Sequence, residues 1–238
     1  MNKTTRLLSL LIASAVALSA AHHKHGDQDL VLDAAAQKAL TPDAVLKDLM
    51  AGNARFVKGK LSNYKSLPEQ VAATTKGQYP QAIILSCVDS RVPVEMVFDQ
   101  RVGDVFVARV AGNMENVDIL GSMEFATAAA GSKLVMVLGH QACGAVKGAC
   151  DHVQLGNLTA LLEKIQPAIL DVADEYPADA RHSGNAAFVD EVVRANVRRT
   201  VADIRRDSPL LAGMEREGKI KIVGAYYSLE DGTVSMVD

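Results

Sequence analysis

Only three cysteines, Cys87, Cys143 and Cys150, occur in the 238 residues. An odd number cannot be fully paired within one chain, so a small disulfide-stapled scaffold is excluded and the thiols are left for other work. An excess of either charge is also lacking: 25 Lys and Arg against 28 Asp and Glu give a formal net charge of -3 and a pI near 6.1. That balance gives no electrostatic footprint for DNA, RNA or an anionic membrane surface, and no nucleic-acid partner is expected. No internal repeat, linker or low-complexity tract breaks the chain. No Gly-rich phosphate loop follows the first apolar run, where Cys87-Val-Asp-Ser-Arg91 stands instead, which removes a nucleotide-binding reading. With 49% hydrophobic and 22% charged residues the chain is too apolar for disorder and long enough for one sizeable core.

The first stretch does not belong to that core. Lys3 and Arg6 precede an apolar run from Leu7 to Leu18, followed by Ser19, Ala20 and Ala21. This is the pattern of a secretory signal peptide, residues 1–21, cleaved after Ala21. The run is shorter than the roughly 20 residues a membrane-spanning helix needs, so no membrane association is expected after cleavage. Cleavage removes two cations and no acid, leaving 23 cations against 28 acids. A polar leader, residues 22–40, follows, and a single domain is expected over 41–238. His22, His23 and His25 in the leader read either as a solvated tail or as a tract able to capture copper or nickel. The expected location is the periplasm or the exterior.

Thr41 as cap and Pro42 in the first turn predict an amphipathic helix through Leu46, Leu49, Met50 and Phe56, ending near Gly59. A polar stretch then leads to Ala82–Cys87, a short continuous apolar run of the buried-strand type. Similar runs follow at Asp104–Arg109, Lys133–Gly139 and Lys219–Tyr226, with an additional edge strand indicated at Thr233–Val237. Helical stretches at Asp118–Ala130, Asn157–Leu170 and Ala187–Arg206 alternate with them, the pattern of a parallel α/β fold. In such sheets reactive groups gather outside the carboxyl ends of the strands. Cys87 ends the first run and His140 follows the third, so the two meet if their strands are neighbours.

Two thiolates and an imidazole suit zinc, and three protein ligands with a fourth position open is the arrangement of a catalytic site. Cys87, His140 and Cys143 would supply them, His140-x-x-Cys143 lying just past a strand and at a helix start that favours the thiolate. The bland reading stays open beside this one: two small buried thiols and a hydrogen-bonded loop histidine. Cys150 reads as an inert buried thiol.

Cys87-Val-Asp89-Ser90-Arg91-Val-Pro and Gly139-His140-Gln-Ala-Cys143-Gly144 resemble the two signature segments of the β-class carbonic anhydrases. Further similar segments are Gly103-Asp-Val-Phe106-Val-Ala-Arg109, Ala111-Gly112-Asn113, Gly121-Ser-Met-Glu124-Phe125 and Gly224-Ala-Tyr226-Tyr227, so the resemblance spans about Leu46 to Val237. It implies a parallel four-stranded sheet flanked by helices, a zinc ion on Cys87, His140 and Cys143, and self-association as a dimer or tetramer. It also implies a reaction: reversible hydration of carbon dioxide to bicarbonate and a proton, by attack of zinc-bound hydroxide on CO2. Asp89 is then either paired with Arg91, leaving the metal open, or a fourth zinc ligand in a closed state. Gln78, nine residues before Cys87, matches the glutamine that in the plant-like branch reaches across the dimer interface toward substrate. Phe106 and Gly144 complete the substrate-binding set by the same resemblance.

Two departures matter. Bicarbonate-inhibited members carry a tryptophan in the first strand, and this chain has none; Ile84 takes that place beside matching Val92 and Arg109, which predicts an open site at neutral pH. Phe125 replaces a common tyrosine and removes a hydroxyl from the pocket. Proteins of the same fold that hydrolyse carbon disulfide or carbonyl sulfide share the zinc ligands, so a sulfur substrate remains an alternative, as does an inactive zinc-binding scaffold. For the export reading, a chain lacking residues 1–21 is expected to stay in the cytoplasm, checked by cell fractionation.

Overall fold

The computed structural model describes residues 30–238. The signal-peptide reading and the histidines at 22, 23 and 25 lie outside the described residues. Among the described residues no helix is long and apolar enough to cross a membrane.

Five strands form one sheet: β1 Ala82–Ser86, β2 Val105–Arg109, β3 Leu134–His140, β4 Lys221–Tyr227 and β5 Val234–Val237. Their order is β2-β1-β3-β4-β5, with the first four parallel and β5 antiparallel to β4. This is the α/β architecture expected, the late hairpin strand included. Every residue of β1 and β3 is buried, because a parallel sheet carries helices on both faces and its inner strands must be apolar throughout. β2, at the edge, is only half-buried.

The helices are α1 Ala34–Ala39, α2 Pro42–Val57, α3 Leu67–Thr74, α4 Val94–Val97, α5 Val117–Glu124, α6 Gly144–Cys150, α7 Gly156–Glu163, α8 Gln166–Ala173, α9 Ala186–Asp207 and α10 Pro209–Arg216. The start of α2 follows its sequence signal: the Thr41 hydroxyl accepts from the Ala44 N–H at 3.2 Å, and Pro42 sits in the first turn. Val45 and Leu49 of α2 pack with Ile84, Leu134 and Leu138 on one face of the sheet. On the other face α9 lays Val197, Val201 and Ile204 on Ile83, Leu85, Val135 and Val137. Full burial of such a side chain contributes about 1.5–3 kcal/mol.

Three local readings change. The helix expected over Asn157–Leu170 is two, because Pro167 lacks an N–H and starts a new helix, α8, rather than continuing α7. The helix expected over Asp118–Ala130 finishes as a π-helical turn at Phe125–Ala129. The polar stretch before β1 contains α3, which carries Pro68 in its first turn and buries Gln70 as its one fully covered residue, too narrow an apolar face to show as periodicity. The leader also contributes structure: Gln37 of α1 is buried and donates from Nε2 to the carbonyls of Pro80 and Ala130 at 2.7 and 2.8 Å.

α9 can approach the sheet closely because two glycines lie beneath it. A Cβ at Gly139 would lie 2.6 Å from Val197 Cγ2, and one at Gly224 would lie 2.6 Å from Val197 Cγ1. Gly139→Ala is expected to destabilise the fold by about 1–3 kcal/mol through overpacking. Urea unfolding checks this, with Gly139→Ala combined with Val197→Ala losing less than the two single losses together.

Candidate metal centre

β2 lies on one side of β1 and β3 with β4 on the other, so the connections diverge between β1 and β3. At such a switch point a crevice opens outside the carboxyl ends of the strands. Cys87 follows the last residue of β1, His140 is the last residue of β3, and Cys143 is the residue before α6. The chain reverses between the last two through Ala142, whose φ of 53° is left-handed and costs roughly 1–2 kcal/mol for a residue with a Cβ. The result is convergence: the three side chains are buried and their ligand atoms lie within 4.8 Å of one another, the two sulfurs 4.0 Å apart.

The histidine is oriented by its own neighbour. His140 Nδ1 lies 2.9 Å from the Gln141 carbonyl oxygen, which can only accept, so in the neutral ring Nδ1 carries the hydrogen and Nε2 presents its lone pair. Nε2 is buried and has no hydrogen-bond partner. An unmade buried bond of this kind costs about 1–3 kcal/mol, and a cation would satisfy it.

The two thiols form a coupled pair. Cys87 is pushed well below the ordinary thiol range, first by its hydrogen bond with Cys143, then by His140 and by the Gly112 N–H 3.4 Å from its sulfur. Cys143 is pushed far above it, first by the bond to Cys87 and then by burial. A first thiolate is favoured on Cys87, and a second on Cys143 is resisted by desolvation and repulsion. Two soft thiolates, one imidazole lone pair and a shared buried centre fit zinc by donor type and number. Cys150 is buried in α6 apart from this group, and burial pushes its thiol up to about 11.

Asp89 flanks the cluster. Its carboxylate takes Nε and Nη2 of Arg91 at 2.9 and 2.7 Å and the Arg91 backbone N–H at 2.9 Å, while Oδ2 stands 3.9 Å from His140 Nε2. The Arg91 bonds hold its pKa down at about 2 against burial, so it is ionised throughout the neutral range. Arg109 donates to the carbonyls of Cys87 and Asp89 at 2.9 and 2.5 Å and fixes the turn that carries both. Gly144 opens α6 beside Cys143, with open space where a side chain would be.

Gln78 and Phe106 do not join this group. Gln78 is exposed and precedes β1, at the end of the strand opposite Cys87, where it lines an open cavity with Thr74, Lys76 and Gly103. Phe106 is paired with Ile83 near the start of β1 and packs its ring 5.9 Å from that of Phe125, which is 59% exposed. At ~3.3 Å per residue, four residues of strand put Phe106 ~13 Å from Cys87 along the sheet, and Gln78 farther.

The sequence reading missed three supports. Gly112 supplies the N–H to Cys87 from a left-handed turn of φ 79°, and Asn196 of α9 holds the Gly112 carbonyl at 2.7 Å. Their signals were present: a Gly-Asn turn pair, and a lone amide within the valine-rich stripe of α9. Gln141, the acceptor for His140, carried no local signal.

The family profile described as Carbonic anhydrase matches residues 82–234, which includes all three candidate ligands. Carbonic anhydrase 2 of Mycobacterium tuberculosis is 35% identical over 202 residues, covering 83% of this chain and 93% of that protein. The carbonic anhydrase of Mycolicibacterium smegmatis is 36% identical over 200 residues, covering 82% and 93%. The chain belongs to the β-carbonic anhydrase family. The tetrameric β-carbonic anhydrases of Sordaria macrospora share its fold, with a TM-score of 0.63 at 23% identity, covering 82% of this chain and 97% of theirs. Carbonic anhydrases are lyases, and the β-carbonic anhydrase fold here is the parallel sheet whose switch point carries the Cys-His-Cys cluster.

Because zinc needs both thiolates and the second is resisted, its binding is expected to release protons and to tighten as pH rises. Calorimetric titration in buffers of different ionisation enthalpy should read net proton release on zinc binding, and Cys143→Ser should abolish stoichiometric binding.

Proposed function

We propose that this protein catalyses the reversible hydration of carbon dioxide to bicarbonate and a proton, with zinc held by Cys87, His140 and Cys143. The observation that carries the reading is the buried Cys-His-Cys cluster flanked by a carboxylate that an arginine holds in two-point contact. When bound, zinc acts as a Lewis acid that brings the pKa of a coordinated water toward about 7.

The protein's own groups then do the following. Asp89 is ionised and can only accept, so it favours a nucleophile that still bears a hydrogen and turns that nucleophile's lone pair toward the substrate. Arg91 keeps the carboxylate in this role: its two side-chain bonds and its backbone N–H occupy both Asp89 oxygens. Gly144, lacking a side chain, leaves room beside Cys143 for a small linear molecule.

Gln78 and Phe106 act in a partner's crevice rather than their own, in keeping with their place toward the amino-terminal ends of β1 and β2, away from Cys87, so self-association is part of the proposed enzyme. A neutral amide from Gln78 can donate to a developing bicarbonate oxygen without adding charge. The proposal includes export by the signal peptide read at residues 1–21, with the reaction in the periplasm or outside the cell.

Stopped-flow CO2 hydration on zinc-loaded protein over about pH 6.5 to 9 tests the reading. Turnover is expected at neutral pH, absent in Cys143→Ser, and reduced about 10- to 100-fold in Arg91→Ala, which removes the support of Asp89. Stoichiometric zinc without turnover at any pH would overturn it.

A further inference from the structure

We infer that Gln141 is a positioning residue for the metal ligand His140, acting as a clamp between the ligand turn and the β4–β5 hairpin. This rests on the zinc reading of the Cys-His-Cys cluster. The Gln141 carbonyl oxygen fixes the imidazole by accepting from Nδ1, so the direction of that carbonyl decides where Nε2 points.

Three bonds hold Gln141 itself. Its backbone N–H donates to the Tyr227 carbonyl at 2.9 Å, continuing the β3–β4 ladder one residue beyond His140. Its side-chain Oε1 accepts from the Leu229 N–H at 2.9 Å, and Nε2 donates to Glu230 Oε1 at 2.8 Å. Both ends of the amide are therefore engaged by the loop joining β4 to β5.

That loop is a firm anchor. The Ser228 N–H donates to Thr233 O at 2.9 Å and the Gly232 N–H to Ser228 O at 3.0 Å, while Asp231 accepts from the Thr233 N–H at 3.0 Å. Asn53 of α2 fastens it from below, donating to Gly232 O and accepting from the Val234 N–H, each at 2.9 Å. The chain beyond Gln141 needs such a restraint, because Ala142 is held left-handed and a loosened turn would relax toward ordinary φ values. Relaxation would rotate the carbonyl off Nδ1 and spread the ring between its two tautomers. A serine or alanine at 141 is too short to reach Leu229 and Glu230, so the clamp depends on the length of this side chain.

The test uses the full mature chain and two readouts that need no CO2. Zinc affinity is measured by competition with a chelator, and the His140 tautomer by nitrogen-15 NMR of the metal-free protein with the ring neutral. Gln141→Ala is expected to weaken zinc about 10- to 100-fold, the range for groups that orient a metal ligand, and to give a mixture of tautomers. The swap Gln141→Glu with Glu230→Gln keeps an acceptor for the Leu229 N–H and rebuilds the bond between residues 141 and 230 with donor and acceptor exchanged, and should recover affinity to within about threefold of the parent and the single tautomer. Glu230→Ala, on the exposed loop, should give an intermediate loss if Gln141→Ala does not fold. Affinity unchanged within about twofold and one tautomer in Gln141→Ala, or in Glu230→Ala where that is the variant measured, would overturn the inference, as would a swap no better than Gln141→Ala. A parent protein that binds zinc without CO2 turnover would instead overturn the proposed activity and leave this assignment standing.

Discussion

Two buried sulfur atoms 4.0 Å apart cannot both be anionic unless a cation lies between them, and the local architecture follows from that constraint. A divalent ion balances two thiolates and leaves no net charge for the interior to carry. His140 adds a neutral donor, and its tautomer is set by a peptide carbonyl rather than a carboxylate, so no extra anion enters the site. Asp89, the carboxylate that flanks the cluster among the described residues, has its charge matched by Arg91. Gly112 supports Cys87 through a backbone N–H, again without formal charge.

The strands were legible because buried parallel strands have no polar face to alternate with, so β1, β3 and β4 read as continuous apolar runs. Once those runs were placed, Cys87 and His140 stood at their carboxyl ends, and neighbouring strands brought them together. The break between α7 and α8 was written in Pro167 but submerged by apolar periodicity on both sides of it. What could not be read were contacts between distant segments. Gln141 meets Leu229 across 88 residues and Asn196 meets Gly112 across 84, and neither spacing leaves a periodic trace.

Strand direction also limits what one chain can assemble. Parallel strands put all their carboxyl ends on one side, so a group ahead of β1 and a ligand after it stand at opposite edges of the sheet. Gln78 with Cys87 is such a pair, and half-buried β2 with exposed Phe125 lies on the side of the sheet where Phe106 sits. A metal centre can be complete within one subunit while the surroundings of its substrate are not.

Val197 lies over Gly139 and Gly224 at once, one methyl group against each. In evolutionary terms these three positions cannot drift separately. A larger residue on either strand demands a smaller one on α9, and a smaller one there opens space over both strands together. The glycine before His140 is thus tied to the packing of a helix that supplies no metal ligand, so the lineage of the metal-binding turn and that of the core are constrained as one.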